Sequence, residues 1–179
     1  MGEMLIVYST AEGQTRKIAG RLQRRLADAG HIVRITDVDA VADVQELQLH
    51  DVVIVGSPIH RGKPQRSIVQ FLTKHADALH TTQSAYFQVS LASATDDIDR
   101  INEAATYVEE LLEETGWEPD LIAQFGGALR YSKYGLVTKF IMKRIAKRET
   151  GDIDTSRDYE YTDWEAVDAF AADVLELMR

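Results

Sequence analysis

The stretch Ile6-Val7-Tyr8-Ser9-Thr10-Ala11-Glu12-Gly13-Gln14-Thr15-Arg16-Lys17-Ile18-Ala19 decides how this chain reads. The apolar run Met4 to Tyr8 predicts a strand, and the periodicity from Gln14 to Ala29 predicts an amphipathic helix. Between them stand hydroxyls at Ser9, Thr10 and Thr15, with Gly13 in the turn. The first amides of a helix lack intrahelical acceptors and its dipole favours an anion, so this loop is built as a phosphate cradle. It has no Gly-Lys-Ser/Thr ending, and no lysine lies between Ser9 and Thr15 to hold the outer phosphates of a nucleoside triphosphate. It also lacks the Gly-x-Gly-x-x-Gly of a dinucleotide site. What remains suits a terminal monophosphate held by hydroxyls and amides.

The rest of the chain is consistent with one α/β unit over residues 1–179. Its 179 residues, 45% of them hydrophobic, are enough for a single core. There is no cysteine, which excludes disulfides, iron–sulfur clusters and thiol catalysis. Redox chemistry would therefore need a bound organic cofactor, and no metal site is expected. A net charge of −9 argues against general nucleic-acid binding. No apolar run approaches the roughly 20 residues of a membrane span, and no leader pattern precedes the first strand, so a cytoplasmic protein is expected.

Strands are predicted at Met4–Tyr8, Ile32–Asp37, Val52–Gly56, Ala85–Ser90 and Leu121–Ala128, and helices at Gln14–Ala29, Gln65–His75, Asp97–Thr115 and Thr162–Leu177. Gly30 and Gly116 stand where helices should stop, and Asp97 and Thr162 read as N-caps. Thr162-Asp163-Trp164-Glu165 has capping-box spacing. The alternation predicts a doubly wound, five-stranded parallel sheet of order 2-1-3-4-5. Ligands bind such sheets beyond the carboxyl ends of the strands at the switch point, here flanked by strands one and three. The loop after strand three, Gly56-Ser57-Pro58-Ile59-His60-Arg61-Gly62-Lys63-Pro64, is basic and rigid. The loop after strand four, Ser90-Leu91-Ala92-Ser93-Ala94-Thr95-Asp96, is made of small and hydroxyl residues.

Arg130 to Arg148 stands apart. It carries seven basic residues and no acid, so the remainder of the chain sums to −16 (−9 less 7). Leu136, Val137, Phe140, Ile141 and Ile145 recur at helical spacing among the lysines and arginines. A basic amphipathic helix over 134–148 suits a membrane surface, a partner protein or the acidic body of the chain itself. Tyr131 and Tyr134 are placed to stack on a flat aromatic ligand or to anchor the segment.

The first loop resembles the flavodoxin signature, matching its apolar pair, Tyr8, Thr10, Gly13, Thr15 and Ala19. Phe71-Leu72-Thr73-Lys74-His75-Ala76, Gly127-Ala128-Leu129-Arg130-Tyr131, Phe140-Ile141-Met142-Lys143 and Tyr161-Thr162-Asp163-Trp164-Glu165 resemble a narrower group, the flavodoxin-type protoporphyrinogen IX dehydrogenases of bacteria. The resemblance runs from Met4 to Leu177. It implies a flavodoxin-like fold with a basic helical insertion at about 129–160, after or within strand five. It also implies an FMN cofactor, protoporphyrinogen IX as substrate, menaquinone as acceptor, a place in haem biosynthesis and peripheral attachment to the inner membrane face. By similarity the FMN phosphate meets Ser9, Thr10, Ala11, Glu12, Gly13, Gln14 and Thr15. The ring lies between Ser57, Pro58, Ile59, His60, Arg61 and Gly62 on one side and Ser90, Leu91, Ala92 and Ser93 on the other. Arg130, Tyr131, Lys133, Tyr134 and Lys139 are the substrate candidates, the basic ones through propionate carboxylates, and no residue stands out as a catalytic acid or base. The chain departs from the family at His60 and Arg61, where members carry a tyrosine. A flavodoxin-like electron carrier, an FMN-dependent quinone reductase without a tetrapyrrole substrate, and an FMN-binding interaction module are the competing readings.

Overall fold

A computed structural model describes residues 1–41 and 43–179. Its elements are β1 (Glu3–Tyr8), α1 (Gln14–Asp28), β2 (Ile32–Asp37), α2 (Val44–Gln48), β3 (Val52–His60), β4 (Lys63–Pro64), α3 (Arg66–His80), β5 (Gln83–Ser90), α4 (Ile98–Thr115), β6 (Leu121–Gly126), β7 (Ala128–Leu129), α5 (Leu136–Glu149), β8 (Tyr159–Glu160) and α6 (Trp164–Leu177). The long strands pair in parallel in the order β2-β1-β3-β5-β6, which is the expected winding.

Alternation of side chains along β1 divides the core in two. Met4, Ile6 and Tyr8 pack with Ile18, Leu22 and Leu26 of α1 and with Val167, Phe170 and Val174 of α6. Leu5 and Val7 face the other way, onto Ile68, Phe71 and Leu72 of α3, Val108 and Leu111 of α4, and Trp117. With helices on both faces, every residue of Val52–Val55 is fully buried, which is why that run carries no polar alternation. Asp97 caps α4 by accepting from the amides of Asp99 and Arg100, and Gly116 ends it at φ 68°.

Four expectations are corrected. β3 does not end at Gly56 but continues through Ser57, Pro58 and Ile59 to His60. It turns at Arg61 (φ 52°) and Gly62 (φ 76°) and returns as β4, so the expected loop is a hairpin. Positive φ at both central residues marks the turn class whose twist matches the flanking strands. β1 stops at Tyr8, opposite Gly56, so Pro58 pairs only with Val89 of β5, where a missing N–H is tolerated. β6 ends at Gly126, where the returning chain passes so close that a Cβ would stand 2.6 Å from the Tyr161 carbonyl oxygen. Thr162 consequently does not cap α6. Its hydroxyl donates to the Gly126 carbonyl (2.7 Å), and Asp163 caps the helix through the amides of Glu165 and Ala166. Finally, α3 runs on past His75 to His80 because Ala78 and Leu79 also bury against the sheet. The short α2, capped by Asp43, lay outside the expectation altogether.

The segment between β7 and β8, which pair antiparallel, carries α5. Its apolar residues do not share one face. Ile141, Met142 and Ile145 turn inward toward the cavity described below, whereas Leu136, Val137 and Phe140 are 89%, 75% and 71% exposed. Among the described residues no helix is long and apolar enough to cross a membrane.

α1 and α6 are joined across the first core by Asp168, which accepts from Arg21 Nε and Nη2 (both 2.7 Å) and from Arg25. Those hydrogen bonds, from Arg25 and then Arg21, hold the Asp168 carboxyl well below the ordinary carboxylate range. A depressed folded-state value adds stability that is present above the unfolded pKa of about 3.9 and is lost as pH falls through the folded one. Asp168→Asn is therefore expected to lower Tm at pH 7. In thermal melts against pH, the gap from wild type should narrow below about pH 4. A gap independent of pH would contradict this linkage.

Candidate functional site

The carboxyl ends of β1, β3 and β5 open into a cavity of about 730 Å³. Its floor is the first loop (Thr10, Ala11, Glu12, Gln14, Thr15), its sides are the β3–β4 hairpin (Pro58 to Gly62) and the end of β5 (Val89 to Ala92), and Gly127 and Ala128 close one corner. Thr138, Ile141, Met142, Ile145, Arg148 and Glu149 of α5 form its roof, and Glu103 and Tyr107 of α4 complete the wall.

The first loop leaves β1 with the Ser9 amide still tied to the Gly56 carbonyl (3.1 Å). Gly13 takes φ 95° as the N-cap of α1, and no side chain caps that helix end. The Gly13 amide donates to Thr10 Oγ1 (2.9 Å), which leaves the Thr10 O–H free to donate outward. Thr15 and Ser9 are buried beside it. A set of hydroxyls and unpaired helix amides fits a phosphate monoester, whose oxygens only accept. Gln14 is fixed from both ends: its Nε2 donates to Thr162 Oγ1 (2.8 Å) and its Oε1 accepts from Arg130 (2.9 Å).

Pro58, Ile59, His60, Arg61, Gly62, Ser90, Leu91 and Ala92 all line the cavity. Ser57 and Ser93 stand behind the wall. The Ser57 hydroxyl donates to the Pro58 carbonyl (3.1 Å), and the Ser93 amide donates to Ser90 Oγ (3.0 Å), so that amide is spent within the protein. Tyr107 of α4 lines the cavity beside the turn of the hairpin. A Cβ on Gly62 would stand 3.3 Å from its ring.

The roof is pinned at both ends. At its C-terminal end Arg148 donates to Glu103 Oε1 and Oε2 (3.1 and 3.2 Å), Arg100 also pairs with Glu103, and Glu149 lies 3.8 Å from Arg100. A Tyr107 hydrogen bond, reinforced by Arg148 and Arg100, holds the Glu103 carboxyl down, while burial pushes that of Glu149 up. At the N-terminal end Tyr134 donates to Glu12 Oε2 (2.5 Å) and Lys133 Nζ donates to the Glu12 carbonyl (3.3 Å). Burial and the Glu12 carboxylate push the Tyr134 phenol above its ordinary range, so it remains a donor.

None of the five substrate candidates lines this cavity. Arg130, Lys133 and Tyr134 hold the first loop rather than the cavity wall. Tyr131 is fully buried, with its hydroxyl on the Asp152 carbonyl (3.1 Å) and its ring edge-on to Tyr134 and Tyr159, which anchors the segment. Lys139 lies on α5 outside the cavity lining. The lining residues that sequence reasoning did not assign to the site include Glu103, Tyr107, Thr138, Arg148 and Glu149, and also Ile141, Met142 and Ile145. Their signal was faint: Arg148 and Glu149 end the basic run, and Glu103 and Tyr107 share one face of α4 at i, i+4 spacing.

Comparison with known proteins agrees with this fold. The family model described as a flavodoxin domain matches residues 5–156. The chain is 34% identical over 173 residues to the Escherichia coli (strain K12) protein named protoporphyrinogen IX dehydrogenase (quinone), covering 97% of this chain and 94% of that one. It is 32% identical to a Leishmania major protein of the same name, over 97% of this chain and 74% of the other. Among solved structures, a short-chain flavodoxin associated with a bacterial microcompartment superposes with TM-score 0.61 at 12% identity, over the full length of both chains. Flavodoxin 1 from Bacillus cereus does so with TM-score 0.57 at 13% identity, over 97% of each. The structural likenesses establish the sheet and its winding, and the identity over nearly the whole length reaches through α5 to α6. The chain belongs to the flavodoxin-domain family and, within it, to the protoporphyrinogen IX dehydrogenase (quinone) relatives.

Proposed function

We propose that this protein is an FMN-dependent oxidoreductase that converts protoporphyrinogen IX to protoporphyrin IX and passes the electrons to a membrane quinone, menaquinone, in haem biosynthesis. The observation that carries the reading is the roof: α5 converts an open flavin crevice into a walled cavity of about 730 Å³ with Ile141, Met142 and Ile145 facing inward. That volume and lining suit a large apolar ring system held against a flavin. An electron carrier has no use for a second bound molecule, and its flavin edge would be left open to partners.

FMN is the cofactor, and when bound it supplies a two-electron acceptor. A substrate that loses six electrons thus needs three rounds with reoxidation between them. Ser9, Thr10, Ala11, Glu12, Gly13, Gln14 and Thr15 would hold the FMN phosphate. Pro58 to Gly62 of the hairpin and Ser90 to Ala92 would hold the ring, with Ser57 and Ser93 supporting them from behind and Pro58, Ile59, Leu91 and Ala92 keeping water out of the site. Arg61 lines the cavity and takes over the carboxylate-pairing role first read into Arg130, Lys133 and Lys139, while Arg148 is held by Glu103. The chain works as one flavodoxin-like unit, 1–179, with 129–160 as the inserted segment.

Quinone access is the purpose of the outer face of α5. Exposed Leu136, Val137 and Phe140 stand on the same side as the exposed Lys143, Arg144 and Lys147, an apolar patch beside cations. Such a face suits the inner leaflet, where both quinone and tetrapyrrole partition, with each basic residue contributing about 1 kcal/mol near anionic headgroups.

Supplying the FMN-loaded protein with protoporphyrinogen IX and a menaquinone analogue, without oxygen, should raise porphyrin fluorescence in proportion to added quinone. Fluorescence that never exceeds a protein-free control would leave the carrier reading in its place. In vesicle pelleting, the triple variant Lys143→Gln, Arg144→Gln, Lys147→Gln should lose about two orders of magnitude in affinity for anionic vesicles at low salt. Undiminished pelleting of that variant would remove the membrane role from α5.

A further inference from the structure

We infer that Lys133 is the cation of the cofactor phosphate site, and that it makes the protein select FMN over riboflavin. The inference rests on the FMN reading above. The first loop contributes hydroxyls and amides but has no lysine or arginine between Ser9 and Thr15. The fold supplies one from 120 positions downstream (133 less 13). Lys133 Nζ lies 3.3 Å from the Glu12 carbonyl oxygen and 3.9 Å from where a Cβ on Gly13 would stand. That puts the ammonium group at the uncapped N-terminal end of α1, beside the same amides that would hold the phosphate.

Two of the neighbouring cations are committed elsewhere. Lys17 and Arg130 are both engaged by Glu160, at 2.5 and 3.2 Å. The one carboxylate of the loop, Glu12, would repel a phosphate, and it accepts the Tyr134 hydroxyl (2.5 Å) instead. Lys133 itself is held in place on both sides. Arg130 bonds Gln14, Tyr134 bonds Glu12, and the Ser132 amide and hydroxyl bond the Asp158 carboxylate (2.8 and 2.7 Å). A lysine is a compact point charge with rotatable donors, suited to reach a phosphate oxygen without leaving this short helical turn. The residues that anchor the roof to the loop are therefore also the ones that present a charge to the cofactor.

The test is titration of the full-length apoprotein with FMN and, separately, with riboflavin, followed by quenching of flavin fluorescence. Wild type should bind FMN more tightly than riboflavin. Lys133→Gln should weaken FMN about tenfold, leave riboflavin unchanged and flatten the salt dependence of FMN binding, while Lys133→Arg restores it. An FMN-to-riboflavin ratio in Lys133→Gln equal to that of wild type overturns the inference and leaves the cofactor reading standing. Equal loss of both flavins also overturns it, since it would mark Lys133 as a structural support of the loop. A wild-type protein that binds neither flavin overturns the cofactor reading and this inference together.

Discussion

The parallel pairing of Met4–Tyr8 with Val52–Gly56 is the constraint on which the other features depend. It sets the carboxyl ends of the two central strands side by side, with β2 beyond one and β5 beyond the other. The crossovers from these strands leave in opposite directions, and the gap between them is where a ligand can enter. The register also decides which side chains face which core, because a slip of one residue would exchange Leu5 and Val7 with Met4 and Ile6. It even reaches into the loop, since the Ser9 amide still bonds the Gly56 carbonyl after β1 has ended. Gly56 itself is demanded by this layer, because a Cβ there would stand 2.1 Å from the Phe87 ring.

Onto that frame the chain adds a second, smaller construction. The β7–β8 pair and the tyrosines Tyr131, Tyr134, Tyr159 and Tyr161 form a separate apolar cluster with Leu129 and Ala146, from which α5 projects across the crevice. Its two ends are fixed by charged and polar contacts rather than by a large core. Exposed ion pairs such as Arg148–Glu103 contribute little individually, of order 0–1 kcal/mol. Their value lies in where they put the helix. The outer apolar residues of α5 gain nothing in stability from exposure to water, which is consistent with a surface kept for another apolar phase.

How much of this could be read from residues alone followed from how local each signal was. The strand–loop–helix at the N-terminus, the Asp97 cap and the Gly116 stop are short-range features, and each stands where its chemistry put it. The hairpin after β3 was hidden because Pro58 reads as a loop residue and an arginine at φ 52° gives no composition signal. Thr162 has the chemistry of a cap, but a hydroxyl contact to Gly126, 36 positions upstream, outcompetes it. In α5 periodicity located the helix yet merged two apolar faces into one, because it cannot tell a cavity wall from a surface. The contacts of Arg130, Lys133 and Tyr134 with the first loop span more than 115 positions, and no local pattern encodes them.

The central claim is that the tetrapyrrole meets the flavin in the space beneath α5. Anaerobic mixing of FMN-loaded protein with protoporphyrinogen IX, wild type beside Ile145→Trp, tests it most directly. The wild-type flavin should lose its visible absorption on mixing. Ile145→Trp, with a bulkier ring under the roof, should keep its FMN and its reduction by dithionite but respond at least tenfold more slowly to the tetrapyrrole. Equal rates of bleaching in the two proteins would place the substrate elsewhere and contradict the account.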